Sequence, residues 1–148
     1  MAPVKKVKLN ISSVIENLDD SGLADGDIER DSVSCTGDLI SSCQNHTISY
    51  LEKREGGEVR CSISQTPSGI TVKRSGAVES EMSFALGKSY KTLYRVPPFS
   101  FDMTIETIRL SGNLSENGGE ISLLYKMVVG GAAKKVKMRI AAEIQNES

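Results

Sequence analysis

The amino-acid sequence predicts an all-β protein, an antiparallel up-and-down β-barrel of about eight to ten strands. Three observations carry this expectation. From Val59 to the C-terminal region apolar and polar residues alternate with period two, the pattern of strands with one buried face. Turn residues interrupt the alternation at spacings of roughly ten residues. The connections between runs are too short for the crossovers that parallel strands require, so neighbours in sequence are expected to be antiparallel neighbours in space.

The elements follow in chain order. Val7, Leu9 and Ile11 lie on one phase and Lys6, Lys8 and Asn10 on the other, which makes a one-sided first strand. Residues Asn17 to Asp27 are rich in Asp, Gly and Ser without periodicity and are expected to form the longest loop. Strands are expected again near Ile28 to Thr36 and His46 to Glu52. The later runs are Val59, Cys61, Ile63; Ile70, Val72; Val78, Met82, Phe84, Leu86; and Tyr90, Tyr94, Val96. Then come Phe99, Phe101, Met103, Ile105; Ile121, Leu123, Tyr125, Met127, Val129; and Val136, Met138, Ile140, Ala142, Ile144. Gly56-Gly57, Pro67-Ser68-Gly69, Ser75-Gly76, Gly87-Lys88, Pro97-Pro98, Asn117-Gly118-Gly119 and Gly130-Gly131 separate them. Gly supplies the positive φ of tight hairpin turns and Pro cannot continue a ladder. Ile108 and Leu110 fall on the opposite phase to Ile105, which predicts a β-bulge near Glu106 and Thr107. A meander of this count avoids exposed edges best by closing on itself.

Composition narrows the function classes. The 148 residues, of mass 16.0 kDa, suit a single domain spanning 1–148. No stretch approaches the length of an apolar membrane span. The net charge of -1 gives no bulk attraction to nucleic acid or an anionic surface, and the absence of Trp leaves a base-stacking platform poorly supplied. The N-terminal segment alternates where a secretory signal needs a continuous apolar run. Cys35, Cys43 and Cys61 are odd in number and lack C-x-x-C spacing, which points away from a disulfide framework or a zinc site and towards reduced thiols in the cytoplasm.

The stretch from Ile70 to Phe84 (ITVKRSGAVESEMSF), followed by Thr92-Leu93-Tyr94 and the segment from Pro97 to Met103 (PPFSFDM), resembles the YwiB-like family of bacterial lipocalin-like (calycin) β-barrels. The likeness extends through Gly118-Gly119 to the final strand. It implies an up-and-down barrel in a bacterial cytoplasmic protein and, because that family is of unknown function, it implies no activity.

Candidate chemistry is sparse. His46 is the sole histidine, so multi-histidine metal sites are excluded and no metal or cofactor is expected. No nucleophile elbow, P-loop or dinucleotide fingerprint stands before a helix. Asp102 and Glu106 fall on the solvent side of their strand by parity, a solvated face rather than an acid and base pair.

Arg74 shares phase with Ile70 and Val72, so its guanidinium is expected to point into the barrel or its mouth. There it needs an acid, carbonyls or an anionic ligand. Tyr94, Phe99, Phe101 and Tyr125 are expected inward with it, together with Tyr90, Met103 and Met127. A barrel of this size either fills its centre with side chains or holds one small ligand. The first functional reading is therefore a non-catalytic protein holding a small apolar or amphipathic ligand, with Arg74, Tyr94, Phe99, Phe101 and Tyr125 as its site. The second is an interaction module for RNA or an acidic protein. Lys6 and Lys8 on the first strand and Lys135, Lys137 and Arg139 on the last would face outward where the two strands close against one another. Like charges directly opposite are unfavourable, so such ladders must be staggered, interleaved with carboxylates, or occupied by an anionic partner.

Overall fold

A computed structural model describes residues 4–19, 24–54 and 56–145. Ten strands follow one another: β1 (Val4–Leu18), β2 (Ala24–Ser42), β3 (Asn45–Arg54), β4 (Gly57–Thr66), β5 (Gly69–Gly76), β6 (Ser80–Phe84), β7 (Ser89–Val96), β8 (Phe99–Gly112), β9 (Gly118–Val129) and β10 (Ala132–Ile144). They form one antiparallel sheet in the spatial order β6-β5-β4-β3-β2-β1-β10-β9-β8-β7. Every neighbour in the sheet is a neighbour in sequence except β1 and β10. Those two pair from Val7 opposite Ile144 to Asn17 opposite Lys134, and Gln145 N–H extends the contact to the Lys6 carbonyl at 2.9 Å. The expected meeting of first and last strands is thus realised.

The sheet curls until its two outer strands, β6 and β7, meet across a seam. Among the described residues one bridge joins them, Glu79 to Arg95, in which each backbone N–H donates to the other's carbonyl at 2.8 Å. The result is a nearly closed barrel. Its centre is filled by the inward positions of nine of the ten strands: Val7 and Leu9 from β1, Leu39 from β2, Ile48 from β3, Val59 and Ile63 from β4, Ile70 and Val72 from β5, Met82 and Phe84 from β6. Met103 and Ile105, Ile121 and Leu123, and Val136 and Ile140 complete it from β8, β9 and β10. Phe84 and Tyr125 stack with ring centroids 4.7 Å apart and a 56° tilt, a favoured aromatic geometry.

Strand length differs sharply around the barrel. β1, β2, β8, β9 and β10 have 12 to 19 residues, whereas β3 to β7 have 5 to 10. β2 pairs with β3 only from Asp38 to Ser42, and from there back towards Ala24 it pairs with β1 alone. Gly37 stands where β2 leaves β3. A side-chain carbon there would lie 2.7 Å from the Ser49 carbonyl and 2.8 Å from Leu9 Cδ1, so glycine is what lets the two strands and Leu9 close together.

Two expectations need correction here and one is met. The long loop expected over Asn17 to Asp27 is mostly strand, because β1 runs to Leu18 and β2 begins at Ala24, opposite it; residues 20–23 lie outside the described residues. The segment lacks an alternating pattern because Gly26 to Ser32 are exposed on both faces of the ribbon, so no buried side writes a period into the sequence. Phe99 and Phe101 were expected to fill the interior, and they are 65% and 41% exposed. They keep the inward parity of Met103 and Ile105, but the ladder of β8 with β9 starts only at Met103, so the β7–β8 hairpin carries both rings beyond the barrel body. The predicted bulge is present, with the register shifting between Thr107 and Arg109.

Candidate functional site

One row of inward positions crosses the short strands near the end of the barrel where β7 and β8 project. Tyr50 on β3 lies opposite Cys61 on β4, Cys61 opposite Arg74 on β5, and Arg74 opposite Ser80 on β6. The Glu79–Arg95 bridge then sets Ser80 beside Tyr94 on β7, which pairs with Phe101 on β8. The phase that places Val72 inside also turns Arg74 inside, as the sequence predicts. Its guanidinium meets sulfur and phenol groups: Nη1 lies 4.0 Å from Met82 Sδ, a weak acceptor, and its charge acts on Tyr50, Cys61 and Tyr125.

Two buried polar atoms of this row lack partners, and a third stands at the β8 bulge. Arg74 Nε, Ser80 Oγ and Thr107 Oγ1 are all buried with no hydrogen bond. Ser80 and Thr107 are 7% and 5% exposed, so water outside the barrel does not satisfy them. A buried donor left unpaired costs about 1–3 kcal/mol, and such groups in folded proteins ordinarily mark a water, ion or ligand position. Arg74 and Ser80 are direct cross-strand partners, a placement that sets Cβ atoms about 5 Å apart, so their two vacant groups address the same small volume.

Burial, opposed by Arg74, pushes the Tyr125 phenol up to about 12. Burial is also the first cause of the raised values of Tyr50, Cys61 and Cys35; the Glu52 carboxylate adds to all three, and Arg74 opposes the rise at Tyr50 and Cys61. These phenols and thiols are protonated at neutral pH. A thiol in that state is a poor nucleophile and redox centre, so Cys35 and Cys61 behave as small packing residues. Cys43 is exposed, and none of the three is in a disulfide among the described residues. His46 is half-buried, with Nδ1 2.8 Å from Ser41 Oγ. Asp102 and Glu106 face solvent, as their parity predicts. Among the described residues no group of three or more His, Cys, Asp or Glu is placed to hold a metal ion.

The sequence-predicted ligand residues separate into two sets. Arg74 and Tyr125 belong to the interior layer, Tyr125 packed on Phe84 and almost wholly buried. Tyr94 is half-buried and packs against the core, while Phe99 and Phe101 extend its inward-parity face past the barrel rim. A side-chain carbon at Gly130 would stand 3.5 Å from Phe101 Cδ1, so that ring lies beside the β9–β10 turn. Tyr50, Ser80 and Thr107 were not singled out by sequence, although their parity with Ile48, Met82 and Ile105 marks them as polar residues on buried phases.

The basic face is rearranged by the register. Lys6 pairs with Asp38 at 2.6 Å on β2. Lys8 lies opposite Glu143, Lys135 opposite Glu16, and Arg139 opposite Ser12, while Arg139 is bound through Nε and Nη2 to both carboxylate oxygens of Glu120. The two basic ladders are therefore not side by side, because antiparallel pairing sends them to opposite ends of the β1–β10 ladder. Two of the clefts among the described residues involve these strands' faces. One of about 1010 Å³ crosses β2 to β7. Each strand from β2 to β5 gives it three successive residues, and Glu79 to Glu81 at the start of β6 do the same, so its floor is the backbone of the Gly37, Tyr50, Cys61, Arg74 and Ser80 row. The other, of about 680 Å³, crosses β1, β10, β9 and β8.

A ten-stranded, helix-free barrel with a filled centre and a polar inner layer is the class of protein that the described residues define. The chain belongs to the family described as a domain of unknown function, DUF1934, whose model matches residues 19–140. It is similar to the uncharacterized beta-barrel protein YwiB of Bacillus subtilis (strain 168), 28% identical over 124 residues that cover 84% of this chain and 82% of that one. The crystal structure of the ywiB protein from Bacillus subtilis superposes with a TM-score of 0.83 at 26% identity, over 97% of this chain and 94% of that one. The family and the barrel are shown, and the family carries no assigned activity.

Proposed function

We propose that this chain is a non-catalytic binding protein whose ligand is a small amphipathic anion, taken at the end of the barrel where the β7–β8 hairpin projects. The observation that carries the reading is the pair of vacant polar groups, Arg74 Nε and Ser80 Oγ, opposite one another and shut off from bulk water. A carboxylate or phosphate oxygen accepts from both. The bridge at Glu79 and Arg95 is the barrel's weakest closure and adjoins this row, which supports entry through the seam. Tyr94, Phe101 and Phe99 supply an apolar face for the rest of the ligand. The centre is packed, so the ligand sits at the rim with only its acidic head inside, a shallower version of the lipocalin-like use of a barrel. The unpaired thiols support a reducing compartment such as the cytoplasm.

A macromolecular partner on the basic face has less support, because Glu143, Glu16, Glu120 and Asp38 interleave with its cations. The test is native mass spectrometry of gently isolated protein, followed by titration with dodecanoate, dodecyl phosphate and dodecanol. Binding of the two anions but not the alcohol, lost in Arg74→Met with the melting temperature kept or raised, is the expected result. A bare mass and equal behaviour of Arg74→Met would mean that ordered water satisfies the layer and that the reading is wrong.

A further inference from the structure

The bulge in β8 has a consequence on the outer surface. Met103, Ile105 and Thr107 alternate inward, so without an extra residue Arg109 would also face the interior. The shift between Thr107 and Arg109 leaves Ile108 exposed and turns Arg109 outward, opposite Leu124 of β9. Bulges are common where a strand must re-aim a side chain. On the other side of Leu124 stands Lys137 of β10, and beyond it Val14 of β1. Arg109 and Lys137 thus flank one leucine from strands about 10 Å apart, a span that two long cationic side chains can close over a single anion.

The next row of the same face is Ser111, Ser122, Arg139 and Ser12. Both rows line the cleft of about 680 Å³, which Leu86 closes from the β6–β7 turn. Arg139 is held by Glu120, whereas Arg109 and Lys137 have no ion pair among the described residues. We infer that this cleft is a binding site for a small phosphate monoester, with the phosphate between Arg109, Lys137 and the serine hydroxyls and a short apolar body against Leu86, Leu124 and Val14. Its volume suits a ligand of that size.

The charge distribution favours a small molecule over a nucleic acid. A backbone track needs several phosphates neutralised in succession. Here the row on one side sets Lys126 opposite Glu106 and Lys135 opposite Glu16, and on the other side Glu120 is bound to Arg139, so carboxylates interrupt any continuous track of cations on both sides of Arg109 and Lys137. The site is separate from the row around Arg74 and does not depend on the function proposed for that row.

Hexyl phosphate, with hexanol and inorganic phosphate as comparisons, tests the inference by amide chemical-shift titration. Hexyl phosphate is expected to shift Ser12, Ser111, Ser122 and Leu124 and to bind more tightly than either comparison. Arg109→Ala and Lys137→Ala are each expected to weaken it by about tenfold or more, in line with the loss of a charge-assisted hydrogen bond, while Lys91→Ala, at an exposed cation on β7 outside the cleft, leaves it unchanged. All three substitutions are judged at equal melting temperature. The inference is overturned if hexanol binds equally well, or if the two alanine variants bind like the parent. It is also overturned if a single-stranded RNA oligonucleotide binds more tightly than hexyl phosphate and Lys126→Ala and Lys135→Ala weaken that binding as much as Arg109→Ala does.

Discussion

The two halves of the barrel are built to different standards. The wall of β2, β1, β10, β9 and β8 is made of long strands joined by long ladders, such as the one from Val7–Ile144 to Asn17–Lys134. The half from β3 to β7 has strands as short as the five residues of β6 and closes through one described bridge to β7. The vacant polar atoms of Arg74 and Ser80 lie in the short half, and that of Thr107 lies at the bulge on the border of the wall. Hydrogen-bonded continuity and polar vacancy are thus divided between the halves. Local openings in folded proteins arise where contacts and ladders are fewest, which here is the β6–β7 seam.

The comparison can be broken first at Phe84, the large buried anchor of β6. Phe84→Ala is expected to cost about 3–5 kcal/mol in urea denaturation, and a loss below about 1 kcal/mol would mean that the short half is not packed into the common core. Tyr125 sharpens it from the wall side. Its phenol is raised from 10 to about 12, so the folded state holds the proton more tightly than the unfolded chain. That stability is fully present below pH 10 and is lost as the pH rises through 12. Melting temperature against pH should fall over that window, and less so in Tyr125→Phe.

Gly37→Ala places a carbon against the Ser49 carbonyl and Leu9 where β2 parts from β3. The expected loss is about 1–3 kcal/mol, measured by thermal denaturation. Arg95→Pro removes one hydrogen bond of the seam, at about 0.5–1.5 kcal/mol, and hydrogen exchange should quicken in β6 and β7 while β1 and β10 stay protected. Equal quickening in β1 and β10 would show that the two halves open together. The smallest effect is expected from Arg74→Met, which replaces a partly unsatisfied cation by an apolar chain and should leave stability within about 1 kcal/mol.

The fold was legible because the barrel buries one face of nearly every strand. Val59, Cys61 and Ile63 or Ile121, Leu123 and Tyr125 write that burial as a period of two, and the shift from Ile105 to Ile108 located the bulge to within a residue or two. Legibility failed where burial fails. The β1–β2 ribbon around Gly26 to Ser32 is strand with both faces wet, and parity alone could not reveal that Phe99 and Phe101 lie past the end of β9, since that depends on the lengths of strands distant in sequence. For the site, phase placed Arg74 correctly. Ser80 and Thr107 passed unnoticed because one hydroxyl on an inward phase is unremarkable until its neighbours are known. The separation of Lys8 from Lys137 required the β1–β10 register, which no local pattern encodes.

That register also governs how the protein comes into being. The partner of β1 on one side is the last of the ten strands in chain order, so a chain leaving the ribosome carries the open edge of Val7 to Asn17 until β10 has emerged. Pairing between the two ends of the chain is slow to form, and an unpaired edge of that length invites strands from other chains. Closure of the barrel therefore waits for the last of its ten strands, and a chain truncated before Ala132 would be expected to aggregate rather than fold into a smaller barrel.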